Sequence, residues 1–245
     1  MISALKSLFS SSTQALPPIT TDIHSHLIPG IDDGSKTMEE SIEMIEVFVA
    51  LGYTKLITTP HIMSHRYPNT SEILTNGLAE LKVELSNRNI KMEIEVASEY
   101  YLDDTVMELI EKRDILTFGE NYLLFEMSYV QPLHHLEEMI FEMKVAGYTP
   151  VLAHPERYVY MHTDFDKYRR LKDKGVLFQV NIPSLGGYYS KAIQKIAKKL
   201  ADEGMIDLVG SDCHKMAHLH ALKTVRANKT YAKLFKNNTI LNNTL

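Results

Sequence analysis

Short apolar stretches alternate with amphipathic helical patterns along most of the chain, and this alternation restricts the fold more than any other feature. The predicted strands are 21–24, 55–59, 92–97, 122–127, 150–153, 177–182 and 208–210. The predicted helices between them are 37–51, 71–87, 133–146, 165–174 and 191–203. Several strands are almost wholly apolar, which is typical of parallel strands that helices cover on both faces. We therefore predict an α/β fold, a TIM-like (β/α) barrel with seven strands rather than eight.

The first twenty residues do not follow this alternation. Their apolar residues are interrupted by Lys6 and by a run of Ser and Thr, so they lack the continuous apolar core of a signal peptide. We expect an N-terminal tail and linker over residues 1–20 and a single barrel domain over residues 21–245. The alternative for the tail is a short amphipathic helix that contacts a membrane surface through Leu5, Leu8 and Phe9. No stretch approaches the about 18 apolar residues that span a bilayer, and we expect a cytoplasmic protein.

Composition excludes several kinds of function. The chain has 26 Lys and Arg against 31 Asp and Glu, a net charge of −5, which argues against nucleic acid as the main partner. Its single cysteine, Cys213, excludes a disulfide framework and a cysteine-rich zinc site. The chain also has 11 histidines, unevenly placed, and these direct attention to metal chemistry.

Histidines and carboxylates close nearly every predicted strand. In barrels of parallel strands the chemistry lies at the carboxyl ends of the strands. The residues found there are His24, His26, His61, Glu99, Glu126, His154, Asp212 and His214. Imidazole and carboxylate suit Zn, Mn and Fe(II), and two close cations can bind the attacking and leaving oxygens of a phosphoryl transfer. A buried, hydrogen-bonded His pair would explain one His-x-His motif, but the whole set predicts a metal centre.

Six segments resemble, in order, motifs of bacterial polymerase-and-histidinol-phosphatase (PHP) proteins. More narrowly, they resemble the manganese-dependent protein-tyrosine phosphatases of capsule and exopolysaccharide operons. The segments are DIHSHLIPGIDDG at 22–34, TPH at 59–61, ASEY at 97–100, FEMS at 125–128, AHPERY at 153–158 and GSDCH at 210–214. The resemblance covers about residues 20 to 225. It implies a distorted (β/α)7 barrel that holds three metal ions, Mn²⁺ or alternatively Fe or Zn.

The resemblance also implies which residues bind each ion. The implied groups are His24, His26, Glu99 and Asp212 for the first ion, Glu99, Glu126 and His154 for the second, and Asp33, His61 and His214 for the third. Asp33 is preferred to Asp32 because it is the second Asp of the family's Asp-Asp-Gly. We expect Asp32 to support a ligand or to form a turn.

The activity implied by the resemblance is hydrolysis of phosphotyrosine by a hydroxide that the metal ions activate. The expected partner is the tyrosine-rich tail of a bacterial tyrosine autokinase that controls polysaccharide synthesis and export. Any membrane contact would then come through the N-terminal segment or the kinase. One alternative is a phosphatase of the same superfamily that acts on histidinol phosphate or another small molecule. Another is a metal-bound protein that regulates the kinase by docking, without catalysis.

Two further residues are candidates for binding phosphate. Arg157 can neutralise phosphate through bidentate hydrogen bonds, or it forms a salt bridge with Glu156. The family commonly has an arginine shortly after the final Asp-x-His, but this chain has none before Arg226. We expect His218 to replace it as phosphate ligand or as general acid, and a surface position on a helix is the alternative.

The remaining candidates concern the surroundings of the site. Cys213 lies outside any Cys-x5-Arg loop, so we expect a small core residue rather than a nucleophile. His65, Arg66 and Tyr67 follow His61 and are expected to shape the substrate entrance. The glycines and tyrosines of residues 186–189 would allow a ligand to approach and would flank an aromatic substrate, or they form a turn with ordinary packing.

Overall fold

A computed structural model describes residues 19–245, so most of the predicted tail, with its possible membrane contact, lies outside the described residues. The strands are β1 Thr21–Asp22, β2 Lys55–Thr58, β3 His61–Ile62, β4 Glu93–Val96, β5 Glu99–Tyr101, β6 Tyr122–Glu126, β7 Thr149–Ala153, β8 Leu177–Asn181 and β9 Leu208–Gly210. The helices are α1 Met38–Ala50, α2 Ser71–Asn87, α3 Asp104–Lys112, α4 Leu136–Val145, α5 Asp166–Asp173, α6 Ile182–Gly186, α7 Lys191–Asp202, α8 Met216–Arg226 and α9 Lys229–Asn237.

All pairs of neighbouring strands are parallel, which confirms the predicted α/β class. The strands form two sheets, with the orders β1-β2-β4 and β3-β5-β6-β7-β8-β9. The predicted second and third strands are each followed by a break and a further short strand. Pro60, which has no N–H to donate, lies at the first break, and its carbonyl accepts a hydrogen bond from Ser98 Oγ at the second (2.8 Å). The breaks place His61 opposite Glu99 in the second sheet.

The segment just after β1 contacts the segment just after β9. Ser25 and Cys213 form a parallel bridge. On either side of it, the Asp212 N–H donates to the His24 carbonyl at 2.8 Å, and the His26 N–H donates to the Cys213 carbonyl at 2.9 Å. These bonds bring the first and last strand ends together. Closure into a seven-stranded ring stays a prediction.

Helix α1 begins as its sequence predicts. Thr37 Oγ1 accepts from the Glu40 N–H at 3.2 Å, and Glu40 Oε2 in turn accepts from the Lys36 N–H at 2.8 Å. The spacing of Ile42, Ile45 and Val49 predicts one apolar stripe along this helix. Ile42 and Ile45 are buried, but the prediction is wrong for Val49, which is exposed. Phe48 takes that place in the core, because it lies closer to the side of the helix that faces the strands.

Helices α3, α6, α8 and α9 were not predicted, and two of them adjoin the site described below. Helix α6 follows β8 directly, and α8 follows the loop after β9. Across residues 19–245, no helix combines the length and the apolar character needed to cross a membrane.

The core has two parts, because successive strand residues point to opposite sides. On β6, Leu123 and Phe125 belong to the large apolar cluster that the helices cover. Leu124 belongs to a smaller cluster with Ile57 and Val151 from other strands. Glu126 lies two residues after Leu124 and therefore on the same side of the strand. The carboxyl ends of the strands thus place polar side chains at the end of this inner apolar cluster.

Candidate metal centre

The structure brings together all nine residues implied as metal ligands. Three groups have ligand atoms within 4.8 Å of one another: His24, His26, Glu99 and Asp212; His26, Asp33, His61 and His214; and His61, Glu99 and Glu126. The first group is the same as the first implied group. The other two observed groups differ from the implied ones. His26 also lies with Asp33, His61 and His214, the residues implied for the third ion. His61 also lies beside Glu99 and Glu126, the carboxylates implied for the second ion. His154 joins through its Nε2 atom, 2.8 Å from Glu99 Oε1.

Two of these residues have an unusual backbone conformation. His154 has φ of 35° and Asp212 has φ of 49°, in the left-handed region that residues other than glycine seldom adopt. His154 follows β7 directly, and Asp212 follows β9 after Ser211. Such conformations persist where the surrounding structure enforces them, and they concentrate at functional sites. Here they occur at two candidate ligands.

Hydrogen bonds orient the first two histidines. His24 Nδ1 lies 2.7 Å from Gln179 Oε1, and His26 Nδ1 lies 2.8 Å from Asp32 Oδ2. The two Nε2 atoms therefore face Glu99 Oε2, at 3.1 and 3.4 Å. A metal-binding histidine usually bonds an oxygen through its other ring nitrogen in this way. Asp32 thus supports a candidate ligand, as expected.

The Asp212 carboxylate has one fully bonded oxygen and one without a donor. Its Oδ2 accepts from Asn181 Nδ2 at 2.7 Å, Arg157 at 2.9 Å and the Tyr189 hydroxyl at 3.2 Å. Its Oδ1 is buried and has no hydrogen-bond partner, and neither does Nδ1 of His61, which lies 3.4 Å from Glu99. Buried polar atoms are costly to leave unsatisfied. Atoms of this kind, grouped around carboxylates, fit a bound cation.

The electrostatics of the group also fit a cation. Burial lowers the pKa of His61 to about 4, so its imidazole is neutral, the form that binds metals. Burial, together with the negative charge of Glu99, raises the pKa of Glu126 to about 8. Although burial opposes it, the negative charge of Glu99 and Asp212 raises the pKa of His24 to about 9. Without an ion, protons on His24 and Glu126 therefore offset part of the negative charge of this cluster, and a bound cation would take their place.

All of the candidate ligands except His24 and His26 line a cavity of about 550 Å³. Its wall also contains several residues outside the ligand set, among them His65, Arg66, Tyr67, Tyr129, Arg157, Tyr189, Lys215 and His218. The three residues predicted at the entrance after His61 therefore do line the cavity. The mixture of cationic and aromatic side chains suits an anionic group attached to an aromatic ring.

Arg157 lies between two aromatic rings. Its guanidinium carbon is 4.4 Å from the centroid of the Tyr129 ring and 4.7 Å from that of the Tyr189 ring. The alternative salt bridge with Glu156 does not form. Glu156 Oε1 instead accepts from the Asn181 N–H at 3.0 Å and from Ser184 Oγ at 2.6 Å. Arg157 is therefore held by its stacking and by Asp212.

His218 lies on α8 and is buried, so the alternative of a surface position is wrong. Its Nδ1 accepts from the His214 N–H at 3.1 Å. Burial lowers the pKa of His218 to about 4, which keeps its imidazole neutral near pH 7. A neutral ring that accepts at Nδ1 carries its proton on Nε2, so His218 can act as a hydrogen-bond donor.

Sequence analysis missed three residues that hold the candidate ligands in place. Gln179 and Asn181 lie on β8, which corresponds to the predicted strand 177–182 that does not end in a candidate ligand, and they bond His24 and Asp212. Tyr129 donates from its hydroxyl to Glu126 Oε2 at 2.9 Å. The spacing of Gln179 and Asn181 could have revealed the first two. They alternate with apolar residues, so both point to the same side of the strand as the site.

Two other expectations concern packing. Cys213 is buried beside Met44, with 3.5 Å between the two sulfur atoms, and burial raises the pKa of its thiol. It is therefore a core residue, as expected. Gly186 packs so closely against Val225 that a Cβ atom would overlap with it, and Gly187 ends α6 with φ of +85°. The glycines thus form a turn with close packing, whereas Tyr189 does reach the cavity.

Comparison with known proteins identifies the family. The family model described as capsular polysaccharide synthesis, CpsB/CapC, matches residues 20–240. The chain belongs to the CpsB/CapC family. CapC of Staphylococcus aureus is 29% identical over 198 residues, which cover 80% of this chain and 78% of that protein. The tyrosine-protein phosphatase YwqE of Bacillus subtilis is 28% identical over 196 residues, covering 80% of this chain and 77% of YwqE.

Solved structures agree with the CpsB/CapC assignment. One match comes from the crystal structures of YwqE from Bacillus subtilis and CpsB from Streptococcus pneumoniae, described as unique metal-dependent tyrosine phosphatases. It has a TM-score of 0.78 and 26% identity, and covers 90% of this chain and 96% of that one. A phosphotriesterase homology protein from Escherichia coli, with phosphate in its active site, matches at a TM-score of 0.50 and 12% identity, over 88% and 94% of the two chains. The second likeness concerns the fold alone.

Proposed function

We propose that this CpsB/CapC protein is a metal-dependent protein-tyrosine phosphatase. The observation that carries the proposal is the group of nine histidine and carboxylate side chains at the strand ends, with buried ligand atoms that lack partners. Related proteins that match over most of the chain are named tyrosine-protein phosphatases. The aromatic and cationic wall of the cavity supports the same substrate class.

The proposed centre holds three ions, with Mn²⁺ as the proposed metal. The proposed ligands are His24, His26, Glu99 and Asp212 for the first ion, Glu99, Glu126 and His154 for the second, and Asp33, His61 and His214 for the third. Bound ions of this kind supply positive charge for the phosphate oxygens and lower the pKa of water. His61 lies between the second and third groups, and its ring has atoms near carboxylates of both.

Other residues of the chain would bind and orient the phosphate ester. Arg157 uses one N–H on Asp212, which leaves its other N–H groups for phosphate oxygens. The rings of Tyr129 and Tyr189, each within 4.7 Å of the guanidinium carbon, restrict its movement. His218 would donate from Nε2 to the phosphate or to the tyrosyl oxygen. A neutral imidazole in this position favours the role of phosphate ligand over that of general acid.

The proposed substrate is the phosphorylated, tyrosine-rich tail of a bacterial tyrosine kinase that acts in polysaccharide synthesis. The family description, capsular polysaccharide synthesis, supports this assignment. The aromatic and cationic side chains of the cavity wall support it as well, because they suit a phosphate group attached to an aromatic ring.

The experiment measures phosphate release by EDTA-stripped protein after Mn²⁺ is added back. A phosphotyrosine peptide and histidinol phosphate are compared as substrates. We expect Mn²⁺-dependent release that strongly favours the peptide, and loss of this activity in Asp212→Ala. The matched control is Asp173→Ala, which removes an exposed aspartate of α5 outside the site.

The outcomes separate the candidate functions. Preference for histidinol phosphate would replace the proposal with a small-molecule phosphatase. No release from either substrate, by protein that demonstrably binds metal, would instead support a regulator that docks on the kinase. Equal activity of Asp212→Ala and the unsubstituted protein would contradict the proposed site.

A further inference from the structure

Basic residues are concentrated in one part of this acidic chain. Residues 190–237 contain ten basic residues (Lys and Arg) and four acidic residues (Asp and Glu). The rest of the chain contains sixteen basic and twenty-seven acidic residues. One of the four acidic residues, Asp212, belongs to the candidate metal centre. Another, Asp207, is paired with Lys172. A protein with a net charge of −5 therefore has a strongly positive segment.

Two helices in this segment carry lysines at the same spacing. Lys191, Lys195 and Lys198 lie on α7 at positions i, i+4 and i+7, and α9 repeats that spacing with its own three lysines. Residues so spaced share one face of a helix. We call these six residues, Lys191, Lys195, Lys198, Lys229, Lys233 and Lys236, the lysine face.

The two helices are neighbours in the fold. Asn238, just after α9, donates from Nδ2 to the Ala201 carbonyl of α7 at 2.8 Å. Asn237 donates in the same way to the Asp202 carbonyl at 3.0 Å. The lysines of α7 also border a shallow groove that runs along this helix. Five of the six lysines are exposed, and Lys198 is half-buried.

The lysines of this face form no close ion pairs, although one aspartate, Asp202, lines the same groove. Among the described residues, no ion pair within 4 Å involves any of its six lysines, although basic residues elsewhere are paired. Lys55, for example, bonds Glu95 at 2.7 Å, and Arg88 bonds Glu39 at 2.6 Å. Like charges at i, i+4 repel one another and destabilise a helix slightly. An anionic ligand on this face would relieve that repulsion.

The lysine face begins beside the candidate metal centre. Tyr189 lines the cavity, and α7 begins two residues later at Lys191. Ser190 caps the helix, since its hydroxyl accepts from the Ile193 N–H at 3.2 Å. From Lys191 to Lys198 the helix rises by about 10 Å, the length of roughly three residues of an extended peptide. A peptide whose phosphotyrosine enters the cavity can therefore continue along α7.

We infer that the lysine face binds an acidic stretch of the substrate polypeptide, next to the phosphotyrosine. This inference rests on the proposed function and extends it to the sequence around the target tyrosine. Exposed lysines are weak, salt-sensitive partners individually, but together they favour encounter with an acidic chain. The preference should therefore appear in KM rather than in kcat.

The test compares two phosphotyrosine peptides of equal length, one flanked by Asp and Glu and the other by Ser and Gly. We expect the full chain to show a severalfold lower KM for the acidic peptide, and we expect high salt to remove the difference. The triple variant Lys191→Gln, Lys195→Gln, Lys198→Gln should lose the preference. The control variant Lys82→Gln, Lys91→Gln, Lys112→Gln changes the charge equally at exposed positions and should keep it.

Free phosphotyrosine distinguishes failure of this inference from failure of the proposed function. If the protein hydrolyses free phosphotyrosine but does not prefer the acidic peptide, the inference is overturned and the function stands. If it hydrolyses neither, the proposed function fails. A preference that the α7 variant retains would also overturn the inference. A third outcome would assign the face to a membrane. In that case the protein would show no peptide preference but would bind phosphatidylserine vesicles in a salt-sensitive way, and the α7 variant would lose this binding.

Discussion

Arg157 donates to Asp212 Oδ2 at 2.9 Å, and this bond joins a residue proposed to bind phosphate to a residue proposed to bind metal. Asn181 and Tyr189 donate to the same oxygen, so Oδ1 is left to face His24 Nε2 at 3.5 Å. The three donors thus orient the carboxylate. Arg157 can consequently affect catalysis in two ways, by contact with phosphate or through the position of Asp212.

Substitution of Arg157 by lysine separates these two effects. Lysine keeps the charge but lacks the planar fork that stacks between Tyr129 and Tyr189 and binds two oxygens. We expect Arg157→Lys to reduce kcat/KM for a phosphotyrosine peptide by about 100-fold, the usual cost of a lost transition-state donor. Bound metal, measured by elemental analysis, should be unchanged. Parallel losses of metal and activity would mean that Arg157 acts mainly through Asp212. Arg169→Lys, at an exposed pair with Asp166, is the control.

Asp32 should affect metal affinity although it is not a proposed ligand. Its carboxylate accepts from His26 Nδ1 at 2.8 Å and from the His61 N–H at 3.0 Å. We expect Asp32→Asn to weaken Mn²⁺ binding by about 10- to 100-fold, as is typical of residues that orient a ligand. Titration of stripped protein with Mn²⁺ would show recovery of activity at higher metal concentration. Unaltered affinity would contradict this role.

Two substitutions of His218 distinguish binding of phosphate from support of the loop after β9. Asparagine can still accept the His214 N–H through Oδ1, but it cannot place a donor where Nε2 now lies. If His218 binds phosphate, His218→Asn and His218→Ala should both lower kcat/KM by about 100-fold. If it only supports the loop, His218→Asn should remain close to the unsubstituted protein. Free phosphotyrosine is a suitable substrate for both assays.

The sequence was informative where metal-binding residue types recur at one kind of position, the strand ends. Ligands at strand ends could be placed because parallel strands bring their carboxyl ends to the same side of the molecule. Gln179, Asn181 and Tyr129 were missed because amides and phenols have many structural uses, and only the fold reveals which oxygen each one bonds.

The breaks after β2 and β4 show a second limit. Pro60 indicates in the sequence where the first strand break lies, but the pairing of His61 with Glu99 depends on strands far apart in the chain. The helices after residue 215 were not predicted, although the sequence contains their pattern. Leu219, Leu222 and Val225 recur at every third residue and are buried in α8, and Tyr231 and Leu234 do the same in α9.

Close packing at Gly186 predicts a stability effect. A Cβ atom there would overlap with Val225 Cγ2, so α6 and α8 could not keep their present separation. We expect Gly186→Ala to lower the free energy of unfolding by about 1 to 3 kcal/mol, the range for overpacking. Val225→Ala would create the missing space, so the double variant should lose less stability than the two single variants together. Additive losses in urea denaturation would contradict direct contact.

Metal removal should reduce stability as well as activity. Without ions, Glu99, Glu126 and Asp212 are buried close together, and Asp212 Oδ1 has no partner. A ligand at 100 times its dissociation constant stabilises the folded state by about 2.7 kcal/mol. We therefore expect EDTA to lower the Tm by roughly 5 to 10 °C, from about 2 to 4 °C per kcal/mol for a chain of this size. Mn²⁺ should restore the Tm.

Glu126→Gln should show a smaller Mn²⁺-dependent increase in Tm, whereas the exposed control Asp202→Asn should show the full increase. A Tm that neither EDTA nor Mn²⁺ changes would exclude a tightly bound ion at these carboxylates.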